Sequence, residues 1–400
     1  MMMILLSTIV AQGQIKIGGN VYGGGNQGEV KGTTSVTVKA GDIGAVLDPE
    51  ASRPLADPKG KIFGGARMAN VGGYSYVHID GEHATDYILV NHEYGGNDIA
   101  GHVGTAQALG IPMPADSLTA IKRDGVAADA DDPKRNAIDD TWNSYVRVSC
   151  KTDGEGNAAS DAKKIYIGQL FGGGNGEYDY EQTPVAGDKV THSIYSKSDK
   201  NHLNPLAQMT TDAGEVGFQL PEQNKAYLEV KGGSIVYGYG GGNNATVKEK
   251  TVIHYDNPSA VVNHILVNNT TGVEADAATY TTYETNGSVD GYSDLLDENR
   301  FLEMGINTTF SQPSSDEFQV GRFFGGNNLA EMKIRPTWNL LSGKIRNLYS
   351  GGNRGKMTSP QGLLLEIKDY STLIVDNLYG GCRMADVMPT VNGVYVACTN

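Results

Sequence analysis

The sequence predicts an all-β chain of stacked strand–turn–strand units wound into a solenoid of parallel sheets. Three observations predict it: a recurring aromatic-Gly-Gly turn, short strand-like runs between copies of that turn, and no sustained helical periodicity. The turn appears as Tyr22-Gly23-Gly24-Gly25-Asn26, Phe63-Gly64-Gly65-Ala66-Arg67 and Tyr94-Gly95-Gly96-Asn97-Asp98. It returns as Phe171-Gly172-Gly173-Gly174-Asn175, Tyr239-Gly240-Gly241-Gly242-Asn243, Phe324-Gly325-Gly326-Asn327-Asn328 and Tyr379-Gly380-Gly381-Cys382-Arg383. A variant copy, Ser350-Gly351-Gly352-Asn353-Arg354, carries Tyr349 one place early. Given the chain's totals of Gly, Phe and Tyr, chance supplies about 0.5 such matches, so the repeat is a property of the architecture.

Each element follows from local chemistry. The shortest spacings, about 26–31 residues, match one bare turn of a solenoid, and longer ones carry insertions. Between turns lie pairs of β-rich runs separated by a bend: Leu363–Lys368 then Thr372–Leu378, Ser35–Val38 then Ile43–Val46, and Tyr227–Val230 then Ser234–Tyr237. Alternation of apolar and polar residues sends one set inward and the other outward. A unit this short cannot bury its inner face alone, so copies must stack and pair strand on equivalent strand. Glycine at the corner is expected to supply left-handed backbone geometry and to leave no Cβ where the backbone bends sharply. The aromatics Tyr22, Phe63, Tyr94, Phe171, Tyr239, Phe324 and Tyr379 are expected to stack along the axis. Four places on, every copy is polar: Asn26, Arg67, Asp98, Asn175, Asn243, Asn328, Arg354 and Arg383. Asn at a corner can hydrogen-bond along a ladder. Arg67-Met68-Ala69-Asn70-Val71 and Arg383-Met384-Ala385-Asp386-Val387 are alike enough to occupy equivalent corners.

Through this turn motif, residues 15–400 resemble the exported, glycine-rich YGGGN-repeat proteins of gut Bacteroidetes, and more loosely the adhesin-type β-helix passengers. The resemblance implies a right-handed parallel β-helix and an exported location. It implies no catalytic signature and no established activity.

Residues 1–13 read as the tail of a secretory signal, with an apolar run from Met1 to Val10 and a small-x-small site at Ala11-Gln12-Gly13. Residues 14–400 then form a single β-helix with insertions at about 104–160, 177–222 and 256–318. The chain stops one partial turn after its last motif, as expected of one part of a longer protein. No stretch is long and apolar enough for a membrane helix. A formal net charge of -14 argues against nucleic acid, whose phosphates need a basic face, and against docking on an anionic membrane. Cys382 and Cys398 flank a loop and either pair or stand as free thiols beside Cys150.

Candidate chemistry is sparse, and no cofactor is implied. In Glu177-Tyr178-Asp179-Tyr180-Glu181 a strand would set three carboxylates against two tyrosines, an arrangement suited to calcium or sugar rings, or to a plain solvated edge. Asp129, Asp131 and Asp132 resemble the opening of a calcium loop but lack its later Gly and Glu. His78, Asp80, Glu82, His83, His92, Glu93, Asp98 and His102 crowd one region without a zinc-ligand spacing, although His78, Asp80 and Glu82 would share a strand face. No nucleophile elbow and no H-E-x-x-H occurs. The expected function is non-enzymatic adhesion or binding of a glycan or a host or cell-surface protein. The alternatives are a polysaccharide lyase or glycoside hydrolase using Asp80, Glu82 and Arg67, and a passive structural stalk.

Overall fold

In the computed structural model, the described residues are 15–43, 60–86, 88–105, 142–163, 165–197, 199–257, 319–368, 371–388 and 393–399. The expected signal segment, the aspartates at 124–140 and most of the 256–318 insertion lie outside them. All named elements are strands, and a 15-stranded sheet in which every pairing is parallel dominates. Among the described residues no helix is long and apolar enough to cross a membrane.

Two ladders make up this sheet. The first runs Thr34–Val38, Ser75–Gly81, Ser144–Cys150, Glu222–Lys231, Thr246–Asp256 and the opening of Thr337–Tyr349. The second runs Lys16–Ile17, Gly41–Ile43, Ile88–Tyr94, Ile165–Phe171, Ser234–Tyr239, Val320–Phe324, the end of Thr337–Tyr349, and Thr372–Tyr379, with Val21–Tyr22 and Lys61–Phe63 stacked in turn on the end of Ile88–Tyr94. Thr337–Tyr349 serves both, and Gly343 breaks it between them at φ 109. Gly41 and Gly233 share that register position, at φ 114 and 79. Glycine supplies left-handed backbone at these three corners, while Ile88 and Ile165 hold the same row without it.

The core lies between the ladders. Val77, Val146, Leu228 and Ile253 of the first meet Val90, Ile167, Ile235, Val320 and Ile345 of the second in one apolar cluster. Each successive repeat adds a row, so no repeat buries its face alone.

At the aromatic turn, glycine has a different reason. None of the glycines directly following an aromatic has positive φ. Instead a Cβ on Gly172 would stand 2.4 Å from the Gly240 carbonyl oxygen, and one on Gly95 2.4 Å from that of Gly172. Successive repeats bond here through Gly95 N–H to Phe171 O at 3.0 Å and Gly172 N–H to Tyr239 O at 3.0 Å. Close backbone approach between repeats selects glycine here, in keeping with the expected lack of room for a Cβ, and the expected left-handed geometry is absent at these positions.

One insertion boundary also differs. The 104–160 segment contains Ser144–Cys150, a full member of the first ladder. The 177–222 segment is built as an antiparallel sheet of Tyr178–Val185, Lys189–Ser196 and Ala207–Asp212. It packs Tyr178, Ile194 and Ala207 against Met68, Ile99 and Ala100 of the main body.

Candidate functional site

The repeat residues form a spine. Tyr22, Phe63, Tyr94, Phe171, Tyr239, Phe324, Tyr349 and Tyr379 stack in order, with centroids 5.0, 4.8, 4.6, 4.6, 4.9, 4.7 and 4.5 Å apart. Stacks of this kind are worth about 0.5–1.5 kcal/mol per pair beyond burial. Register pairs Phe324 with Tyr349 and Tyr349 with Tyr379, so the variant copy counts from Tyr349.

That shift moves the ladder position from Arg354 to Asn353, a correction to the expected set. The Asn353 amide donates to Asn328 Oδ1 at 2.8 Å, Asn328 to Asn243 at 2.9 Å, Asn243 to Asn175 at 2.9 Å and Asn175 to Asp98 at 2.8 Å. Arg383 donates to Asn353 Oδ1 at 3.2 Å, and Arg67 to Asn26 Oδ1 at 2.9 Å. The amide run thus points one way. It ends on a carboxylate, which only accepts, and begins on a guanidinium, which only donates.

Asp98 ties the spine to the side sheet. Its two carboxylate oxygens accept the hydroxyls of Tyr178 and Tyr22, each at 2.8 Å. The Tyr180 hydroxyl bonds the Ile99 carbonyl. The tyrosines of the 177–181 run therefore face the body, as the strand reading requires. Its three carboxylates do not converge. Glu177 precedes the strand and accepts the Asn243 amide at 2.7 Å. Asp179 and Glu181 hold His202, at 3.3 and 2.5 Å. Lys197 binds Asp179 at 2.5 Å. The Lys197 bond, then His202, holds the Asp179 carboxyl below its ordinary range; Glu181, then Asp179, raises the His202 pKa. The His202 ring lies on Tyr195 at 4.5 Å. Each calcium candidate thus already has a protein partner.

A second polar assembly crosses the first ladder. Register aligns Tyr76, Tyr145 and Tyr227 in one row and His78, Arg147, Glu229, His254 and Asn339 in the next. Glu229 is buried and accepts the Tyr145 hydroxyl at 2.5 Å, with Lys231 at 2.9 Å and Arg147 at 3.5 Å. Burial opposes ionisation of Glu229, but Lys231, Arg147 and the Tyr145 bond outweigh it and hold the carboxyl below its usual value. Arg147 also reaches Glu82 at 3.0 Å. His78 pairs with Ser149 Oγ at 2.9 Å, and the Asn339 amide donates to His254 Nδ1 at 2.7 Å.

The crowded histidine and acid region separates in space. The strand ends at Gly81, so Glu82 lies in the turn beyond it, and the grouping that forms is Asp80, Glu82 and His83, with ligand atoms within 4.8 Å of one another. Asp80 is held by His83 Nδ1 at 3.0 Å and Lys39 at 3.3 Å, so two cationic side chains, Lys39 and Arg147, already neutralise the carboxylates. His92 and Glu93 belong to the second ladder, Asp98 to the spine, and His102 pairs with Glu222 at 2.8 Å. Arg67 is engaged on Asn26, so Asp80, Glu82 and Arg67 do not form one site; Arg147 is the base beside Glu82. Sequence reasoning missed Tyr145, Arg147 and Glu229. Aligning Tyr76-x-His78, Tyr145-x-Arg147 and Tyr227-x-Glu229 as equivalent strands was the signal that would have found them.

Cys150 and Cys382 are free thiols among the described residues. Burial pushes both up to about 11, well above the range of reactive cysteines. Compared with protein-family models, curated proteins and solved structures, the chain matches none.

Proposed function

We propose that this chain is an exported, surface-displayed right-handed parallel β-helix that binds a glycan or a protein partner without transforming it. The resemblance to YGGGN-repeat proteins supplies the location and the winding. The observation that carries the binding role is the side sheet at 178–212. It is anchored through Tyr178 and Tyr180, while its far ends are exposed and polar, with Thr191 against Thr210 and Lys189 against Asp212. A loop held this firmly on a rigid scaffold suits recognition. The test incubates the protein with host and plant polysaccharides and surface-protein extracts, with and without calcium. Saturable binding, lost when a short linker replaces residues 177–221, is expected. Binding that survives the replacement, or binding to nothing, sinks the proposal.

A second reading, a carbohydrate-active enzyme on the same scaffold, is favoured by the assembly of Tyr145, Arg147 and Glu229 on neighbouring strands with Glu82 from the adjoining turn. An ionised carboxylate beside a tyrosine and a guanidinium is acid–base equipment. Shortened glycan products, abolished by Glu229→Gln, would replace the first reading with this one.

A further inference from the structure

The outer face of the first ladder turns basic where its strands begin. Ala226, Leu228, Thr251 and Ile253 are buried toward the body, so Lys225, Tyr227, Lys250 and Val252 point to the other side. Register sets Lys225 directly against Lys250. Like charges opposite each other on neighbouring strands are destabilising. Neither lysine has an ion-pair partner among the described residues. Lys250 lies over the Trp142 ring at 5.1 Å, and that ring packs edge-on against Tyr227 at 5.2 Å. Arg335 falls two residues before Thr337, the register partner of Val252, as Lys250 falls two residues before Val252 itself. Beside Lys250 the strand bulges, and Lys248 and Glu249 together oppose Asn224. Bulges re-aim side chains and are common beside active sites. Lys248 pairs with Glu222, the first residue after the side sheet returns, and Glu222 is shared with His102. The strip therefore begins at the root of the side sheet. On these segments five cations, Lys225, Lys248, Lys250, Lys333 and Arg335, stand against Glu222, Glu249 and Glu331. That is a local positive excess in a chain of net charge -14.

We propose that this strip binds an acidic glycan, a polysaccharide carrying a carboxylate on each sugar. The inference rests on the glycan reading above and narrows it to one substrate class. Neighbouring strands lie about 4.8 Å apart, close to the advance of one sugar ring in an extended chain. Carboxylates on successive rings therefore meet Lys225 and Lys250 in turn and remove the like-charge conflict that the fold leaves. Arg335 adds a guanidinium, whose fork suits a carboxylate. An acidic peptide gains less here, because the face of a sheet has no free main-chain groups for strand pairing. Elsewhere the acidic chain repels a polyanion, which confines the ligand to a surface where cations outnumber carboxylates.

The test titrates the full chain with polygalacturonate and with the same polymer fully methyl-esterified, which keeps the backbone and removes the charge. Saturable binding of the acid form alone is expected, and it should weaken as salt rises. Lys225→Gln combined with Lys250→Gln should bind ~10-fold more weakly. Removing a like-charge pair should not lower the melting temperature, which separates lost binding from lost folding. Lys151→Gln, an exposed lysine paired with Asp161 elsewhere, should leave binding unchanged. Equal binding of the esterified polymer, indifference to the double change, or an equal loss with Lys151→Gln overturns the proposal. Polyglutamate that displaces the glycan at equal carboxylate concentration overturns it in favour of an acidic polypeptide. Replacing residues 177–221 should also release this ligand, since the strip adjoins that sheet. Acid-form binding that survives the replacement but falls with the double change supports the strip and sinks only the side-sheet reading. Glycan binding lost with residues 177–221 but blind to charge sinks only the strip.

Discussion

Glu93 is the least expected residue of the core. Its register neighbours are Ile62 and Leu170, its side chain is buried, and neither carboxyl oxygen has a hydrogen-bond partner among the described residues. Burial pushes its pKa well above the ordinary value, so it folds as the neutral acid. Such a group leaves stability intact below the unfolded-state pKa, about 4.3, and erodes it as pH rises toward the folded value, by up to about 1.4 kcal/mol per pH unit. His92 is shifted the other way, downward by burial and then by Lys61, so its contribution is present above about 6.5 and lost as pH falls. The two slopes oppose each other between these values, and above about 6.5 that of Glu93 stands alone. Glu93→Leu should therefore stabilise the protein, more at pH 8 than at pH 5. Denaturant melts at the two pH values check this; an equal gain at both would refute the neutral-acid account. Asn243 illustrates the opposite case, since its amide serves Asn175 and Glu177 and its carbonyl accepts from Asn328. Asn243→Ala strands several buried partners and should cost about 2–3 kcal/mol in the same melts. A loss under 0.5 kcal/mol would mean that the ladder contributes no net stability.

At the scale of elements, the side sheet is fastened at two places of different character. Tyr178 and Tyr180 hold it to the body through hydrogen bonds to Asp98 and to the Ile99 carbonyl. His202 holds the 199–206 loop to the sheet through Asp179 and Glu181, with Lys197 and Asp199 also nearby. Because pairing raises the His202 pKa, the clamp is fully present below the unfolded value of about 6.5 and is lost as pH rises through the folded one. Hydrogen exchange at amides 199–206 should quicken between pH 5 and pH 8, after correction for intrinsic rates, and His202→Gln should remove that dependence. Loop protection indifferent to both would refute the clamp. The sequence had marked Glu177, Asp179 and Glu181 as a strand with one acidic side. That alternation was legible for Tyr178 through Glu181, because period-two geometry is local. The identity of the cation was not, because His202 and Lys197 arrive through a loop whose path depends on the whole sheet.

Over the described residues, repeats are coupled by rings about 5 Å apart in every row, by amides end to end from Asn353 to Asp98, and at most turns by glycine backbones too close for a side chain. An array of this kind owes its cooperativity to neighbour–neighbour interfaces. Gly172→Ala places a methyl against the Gly240 carbonyl and should weaken one such interface without touching the others. The expected result is a thermal transition that splits or broadens, with a loss of about 1–3 kcal/mol. An unchanged single transition would show that the repeats are not held by that approach.

The sequence by itself determined the all-β class, the strand pairs Leu363–Lys368 with Thr372–Tyr379 and Glu222–Lys231 with Ser234–Tyr239, the ring positions of seven copies and the polar place four residues on. Each of these is periodic, and a period survives without knowledge of what lies next to it. The expected strand Ile43–Val46 is instead Gly41–Ile43, with 44–46 outside the described residues. Only the tertiary structure decided that Asn353 rather than Arg354 joins the ladder, since one residue of register is invisible until Tyr349 stacks on Phe324. It also decided that the turn glycines serve close approach rather than left-handed backbone, and that Arg147 rather than Arg67 stands beside Glu82. These are relations between rows many residues apart in the chain, and what fixes them is the stacking distance between backbones, which no single row encodes.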